Sequence, residues 1–165
     1  MIAAVAENHV IGRDNDLVWR LPDDMKYFME TTQHHHVVMG RKNYESIPHK
    51  YRPLPNRVNI IVTQQGHYDA PDCIITDSIE KAIDIARSSQ QEEVFIIGGG
   101  QVYAQAIDTA DKLYITEIKA SFEGDTFFPE IDKSVWQEAS RIPHTADERH
   151  KVAFDYVIYD RIRPV

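Results

Sequence analysis

Apolar residues fall along this chain in short runs separated by polar, glycine-bearing or proline-bearing stretches, and the period within each run predicts its element. Ile2 to Ala6, Val37-Val38-Met39, Val58 to Thr63, Ile74-Ile75 and Val94 to Ile97 are compact apolar runs, as expected of strands covered on both faces. Lys112 to Ile118 reads as a further strand, and Val135 to Ala139 with Val152 to Tyr159 as a closing pair. Helical spacing instead marks Pro22 to about Thr31, Lys42 to Ile47, the set Ile79, Ala82, Ile83 and Ala86, and the set Val102, Tyr103, Ala106 and Ile107. Strands and helices alternate for most of the length and strands alone finish it, which predicts an α/β chain with an antiparallel tail. Between the first strand and the first helix, a polar stretch carries its own apolar grips in Val10, Ile11, Leu17, Val18 and Trp19. It reads as a long loop, either a packed Ω-loop or a lid over a site.

The stretch Glu93 to Tyr103 is the organising one, a buried strand running into Gly98-Gly99-Gly100 and then into a helix. Without Cβ atoms the glycines let the chain turn sharply and let another group approach the backbone. The following helix start would turn unpaired N–H groups toward that point. The dinucleotide fingerprint GxGxxG is absent, because Tyr103 stands where the third glycine belongs. A ligand-free turn and a phosphate cradle fit this segment equally well.

Composition narrows the classes. At 165 residues without repeats, linkers or low-complexity segments, residues 1–165 are expected to form a single domain. Acidic residues outnumber basic ones by 26 to 18, and the formal charge is −8. No basic stripe exists for nucleic acid, so none is expected as a partner. Cys73 is the sole cysteine, which excludes a disulfide framework and fits a reducing compartment. Met1 leads directly into a strand-like run, and no apolar run spans a bilayer. A cytoplasmic monomer without membrane contact is expected.

Four charged sites carry candidate chemistry. Asp23 and Asp24 follow Pro22 in a first helical turn, where the dipole favours carboxylates. Solvated dipole partners are the commoner outcome for such a pair, and Asp23 is assigned to it. Asp24 shares a face with Phe28 and Tyr27 and so heads an apolar stripe, but on these residues alone the solvated reading is preferred for it as well. His34-His35-His36 is poorly spaced for one ion, and nothing like HExxH or CxxC accompanies it, so an exposed turn and no metal are expected. Arg41 follows Gly40 where a strand gives way to a helix; it is either a surface residue or a phosphate contact. Arg57, at the end of the proline-stiffened loop Pro48 to Asn56, is either a solvated charge or a fork for a carboxylate.

The motifs IAAVAENHVIG, LPDDMKYF preceded by Trp19, VVMGRKNYESI, RPLPNRVNIIVT, VFIIGGGQVY, LYITEI and EGDTFFP occur in an order that resembles the dihydrofolate reductase family over essentially the whole chain. The resemblance implies an eight-stranded, mostly parallel sheet with an antiparallel C-terminal strand, flanked by helices. It also implies NADPH as cofactor and 7,8-dihydrofolate as substrate. Asp24 would then hold the pterin's amidine edge, supported by Thr116, while Leu17 and Trp19 belong to a mobile lid over residues 6 to 20. Ile2, Ala4, Met25, Phe28, Ile47, Leu54, Ile97 and Tyr103 would line the substrate slot, and Arg57 would fork onto the glutamate tail's α-carboxylate. The cofactor side would comprise Ala4, Ile11, Gly12 and Leu17; Gly40, Arg41, Lys42 and Asn43; Thr63 and Gln64; Ile97, the three glycines, Gln101, Val102 and Tyr103; and Thr126. Arg41 and Thr63 would take the 2′-phosphate, and a cis peptide is implied between Gly98 and Gly99.

Some residues depart from the family pattern. His49-Lys50-Tyr51 reads as a short insertion, Asn43 replaces a common threonine, and Gln64 stands where a basic or hydroxylated residue is usual, so discrimination for NADPH rests mainly on Arg41. Two rivals remain. A related pterin or pyrimidine reductase would not need Asp24 together with Arg57, and a non-catalytic nucleotide-binding module would need neither.

Overall fold

In the computed structural model, which describes residues 1–163, the apolar runs become strands whose neighbours are set mainly by burial on two faces. The elements in order are β1 (Ile2–Ala6), β2 (Val10–Gly12), α1 (Pro22–Thr32), β3 (His36–Gly40), α2 (Arg41–Ser46), a 3₁₀ turn (His49–Tyr51), β4 (Val58–Val62) and β5 (Ile74–Thr76). Then follow α3 (Ile79–Ser88), β6 (Val94–Ile96), α4 (Gly100–Ala106), β7 (Lys112–Ile118), β8 (Thr126–Phe127), β9 (Trp136–His144) and β10 (Phe154–Arg161).

The single eight-stranded sheet is not what the backbone ladders form. One four-stranded sheet has the order β1-β7-β10-β9, a second has β5-β4-β3-β6, and β2 pairs with β8 as a separate ribbon. The second sheet is wholly parallel, whereas in the first only β1 and β7 run parallel and β10 is antiparallel to both its neighbours. The architecture is therefore α/β with mixed sheets.

Side chains nevertheless pack continuously across both sheets. Successive residues on β3 point to opposite faces, so Val38 joins a cluster with Val5, Ile60, Ile96, Leu113, Ile115 and Val157, while Val37 joins another with Ile2, Met39, Ile61 and Phe95. Val37, Val38, Met39, Ile60 and Ile61 are all fully buried, which explains why these runs show no alternation. The Tyr103 hydroxyl adds a polar tie by donating 2.6 Å to the Ile2 carbonyl.

Three expectations need correction. Val10 to Gly12 is a strand, because Val10 pairs with Phe127 and Gly12 with Thr126. His36 is buried rather than exposed, since it opens β3 opposite Val58 and Val94, and the turn is made before it, with His34 at φ 65° and the His35 N–H donating to the Thr32 carbonyl. Asp23 is not a free dipole partner. His144 Nε2 lies 2.8 Å from its carboxylate, an Arg149 guanidinium nitrogen 3.2 Å away, and its backbone N–H donates to His150 Nε2 at 3.1 Å. No helix among the described residues is long and apolar enough to cross a membrane.

Candidate functional site

The N-terminal turn of α1 leans toward β7, and the carboxylate at its second acidic position meets the sheet. Thr116 is buried on β7 in register with Ala4 of β1, and its hydroxyl donates 2.5 Å to Asp24 Oδ1. Burial pushes the Asp24 carboxyl above its ordinary range, opposed by the Thr116 hydrogen bond and by His150. Asp24 and Phe28 line the same cleft wall, as their spacing of four residues requires.

Across the slot, Arg57 stands at the mouth. Its Nε donates to the Pro55 carbonyl at 3.0 Å and its Nη1 to Thr32 Oγ1 at 3.0 Å, and the guanidinium carbon lies 6.0 Å from the Phe28 ring centre. Among the described residues no carboxylate pairs with it, and burial lowers its pKa from the ordinary value. The loop that carries it is held by Asn59, a residue that sequence reasoning missed. This almost fully buried amide accepts from the Leu54 N–H at 2.9 Å and donates to the carbonyls of Leu54 and Arg57 at 3.0 and 3.1 Å. The only signal was one polar residue inside the run VNIIV.

The glycine run forms the opposite wall. The Gly98–Gly99 peptide is cis, and Gly98 has φ 121°. A Cβ there would lie 3.2 Å from the Tyr103 ring, and one on Gly100 would lie 2.7 Å from Thr126 Cγ2. Side chains are thus excluded at Gly98 and Gly100, whereas a Cβ on Gly99 would meet nothing within 4 Å. The Gly40 N–H donates to the Gly98 carbonyl at 2.9 Å, which brings the carboxyl ends of β3 and β6 together. Beyond Gly40, Arg41 is engaged by Glu45, its Nη1 lying 2.9 and 3.1 Å from the two carboxylate oxygens. Thr63 is buried at the end of β4, and the Gln64 side chain donates to the Asp77 carbonyl at 2.7 Å.

Every residue that the family resemblance implied for the two ligand sites lines one continuous cleft of about 1780 Å³. The slot side holds Ile2, Ala4, Asp24, Met25, Phe28, Ile47, Leu54, Arg57 and Thr116. The groove side holds Gly40 to Asn43, Thr63, Gln64, Gly98 to Val102 and Thr126, with Ile97 and Tyr103 at the junction. Ile11, Gly12, Leu17 and Trp19 line the same cleft. The segment that carries them is pinned at several points: the Asp14 N–H donates to Asp125 Oδ2 at 2.9 Å, Asn15 donates to the Lys42 carbonyl at 3.1 Å, and Trp19 packs on Phe122 with ring centres 5.4 Å apart. Tyr51, Ser46 and Ser78 also line the cleft and were not anticipated. The volume exceeds that of an ordinary single-ligand pocket, roughly 300 to 1,000 Å³.

The fold and the single large cleft define the class as an α/β protein with an extended ligand-sized cleft along its sheet edges. Residues 1–161 match the family model described as dihydrofolate reductase. The dihydrofolate reductase of Bacillus subtilis (strain 168) is 42% identical over 160 residues, covering 97% of this chain and 92% of that protein. That of Neisseria gonorrhoeae is 42% identical over 159 residues, covering 96% and 95%. The dihydrofolate reductase from Enterococcus faecalis solved in complex with NADP(H) superposes with a TM-score of 0.88 at 41% identity, covering 98% of this chain and 95% of that one. The chain belongs to the dihydrofolate reductase family.

Proposed function

We propose that residues 1–165 act as a single-domain, monomeric, cytoplasmic enzyme that reduces 7,8-dihydrofolate to tetrahydrofolate with NADPH, in a reaction that uses no metal and with no nucleic acid as partner. The observation that carries this reading is the pairing, in one apolar slot, of the buried Asp24–Thr116 couple with the carboxylate-free Arg57. The first suits a cationic, guanidine-like ring edge and the second an amino-acid tail. We also read the two four-stranded sheets as halves of the family's eight-stranded sheet, joined by side-chain packing such as that of Ile2 with Phe95.

The glycine wall fits a dinucleotide, because three successive residues without side chains let a phosphate approach the backbone closely. When bound there, the reduced nicotinamide supplies a hydride to the pterin's imine carbon. The protein's part is placement. Ile97 and Tyr103 separate the two ring sites, Asp24 orients and polarises the far edge of the pterin, and Leu17 and Trp19 exclude bulk water. The proton for the neighbouring nitrogen comes from a water under the lid, since Asp24 sits at the other end of the ring. The purified protein is expected to oxidise NADPH, followed by nicotinamide absorbance, only when dihydrofolate is present. No oxidation with both present would overturn the assignment.

Arg41 is the cation available for the 2′-phosphate, and it would share its guanidinium between that group and Glu45. Arg41→Ala is expected to weaken NADPH by about tenfold or more, the loss of one charge-assisted contact, while NADH changes little. Equal losses for the two cofactors, measured as dissociation constants, would show that Arg41 does not read the phosphate.

A further inference from the structure

The cluster around Asp23 is the most concentrated set of metal-capable donors outside the cleft. One donor atom from each of Asp23, His144, Asp147 and His150 lies within 4.8 Å of the others. The expectation of no metal considered only donors close in sequence; these come from α1, β9 and the turn before β10.

The hydrogen bonds fix which atoms face inward. His144 Nδ1 lies 2.8 Å from the Thr145 carbonyl, which can only accept, so this nitrogen carries a proton. Its Nε2 then points at Asp23 Oδ2 from 2.8 Å, a separation that requires a cation between two lone pairs: a proton or a metal ion. His150 is fully buried; its Nδ1 lies 2.7 Å from Asp147 Oδ1, leaving Nε2 as the lone-pair nitrogen. That Nε2 accepts the Asp23 N–H and lies 3.9 Å from Asp23 Oδ2. A carboxylate on the far nitrogen of an imidazole is the arrangement that orients metal-bound histidines. Tetrahedral zinc, with ligands at about 2.0 Å, separates them by roughly 3.3 Å, between the two observed spacings. Asp23 and His144 are partly open to solvent, which provides entry and a water for the fourth position.

We propose that Asp23 Oδ2, His144 Nε2 and His150 Nε2 form a binding site for zinc or a similar borderline divalent cation, with Asp147 orienting His150. The ion displaces the proton between His144 and Asp23 and replaces the bond from the Asp23 N–H to His150. Arg149 stays on Asp23 Oδ1, so the carboxylate binds through one oxygen. Two nitrogens and one oxygen favour zinc over magnesium or calcium. Because Asp23 directly precedes Asp24, occupancy would fix the helical turn that enters the cleft.

The test is cobalt(II) titration of the intact protein, read by visible ligand-field bands, followed by displacement with zinc. One cobalt per chain is expected, displaced by one equivalent of zinc, with the bands lost in His144→Gln and in Asp23→Asn and kept in His34→Asn. Zinc at a hundredfold excess over its dissociation constant should raise the melting temperature by about 5 °C or more. Where a variant does not fold, nitrogen-detected imidazole resonances of the native protein decide: zinc should shift His144 and His150. Absence of ligand-field bands, bands that persist in folded His144→Gln, or shifts confined to His34, His35 and His36 would each overturn the site.

Discussion

Asp24→Asn should lower turnover of dihydrofolate on the order of a hundredfold or more at neutral pH, the loss of charge-assisted hydrogen bonds to a cationic ring edge. The substitution keeps the shape and the Thr116 hydrogen bond, since an amide oxygen can accept where Asp24 Oδ1 does now. It removes the charge and replaces the other carboxylate oxygen, an acceptor, with an NH₂ donor. Asp23→Asn, one residue away, should change turnover by no more than a fewfold, because Asp23 faces His144 and Arg149 rather than the slot. Steady-state assays of both variants decide it, and equal losses would sink the argument that the two carboxylates serve different faces.

Stability should move the opposite way, and the sign follows from linkage. Burial raises the Asp24 pKa in the folded state, so the folded protein favours the protonated form. The contribution to stability is present below the unfolded-state pKa and is lost as pH rises through the raised folded value. At neutral pH ionised Asp24 therefore costs stability, and Asp24→Asn should melt at a higher temperature than the parent there, with the difference vanishing in acid. Asp23 is the mirror case. Its pKa is held down chiefly by the hydrogen bond to His144, so its contribution is present at neutral pH and lost as pH falls through the depressed value. Asp23→Asn should melt lower than the parent near neutrality.

The contrast between these neighbours shows which information is local in the chain. Asp24 could be set apart from Asp23 because Phe28, four residues on, shares its face, a relation written into helical spacing, although its assignment to the site came from the family resemblance. The partners of Asp23 lie 121 and 127 residues away, and no periodicity reports them. Fold divides the same way. Val37 to Met39 and Ile60-Ile61 are legible as strands because burial on both faces leaves an unbroken apolar run. Val10 to Gly12 is not, since its strand character comes from pairing with Thr126 and Phe127 in a distant loop. Nor does a run of apolar residues specify where a ladder stops, which is why two four-stranded sheets stand in place of one sheet of eight. The cleft was more legible than the sheet, largely because motif order carried it. The buried Asn59 that holds Arg57 in place belongs to no such pattern.

Arg57→Lys should raise KM for dihydrofolate by roughly a hundredfold while kcat changes little. The reason is geometric. Two of the guanidinium's donors are committed, Nε to the Pro55 carbonyl and Nη1 to Thr32, and these bonds set the plane of the group against Phe28. Arg57 lines the cleft, and its remaining N–H groups have no carboxylate partner among the described residues, which suits a planar anion. A lysine ammonium retains the charge but can neither hold that plane nor offer two parallel donors, and two charge-assisted bonds of about 1.5 to 3 kcal/mol each are at stake. The effect should fall on KM, because the tail lies away from the reacting carbon and its contact is the same before and at the transition state. A pterin substrate lacking the glutamate tail provides the control. The parent should bind it weakly, and Arg57→Lys should leave its kinetics unchanged, so that enzyme and substrate changes are strongly non-additive. If the substitution affects the truncated substrate as much as dihydrofolate, Arg57 supports the slot as a whole and does not read the tail.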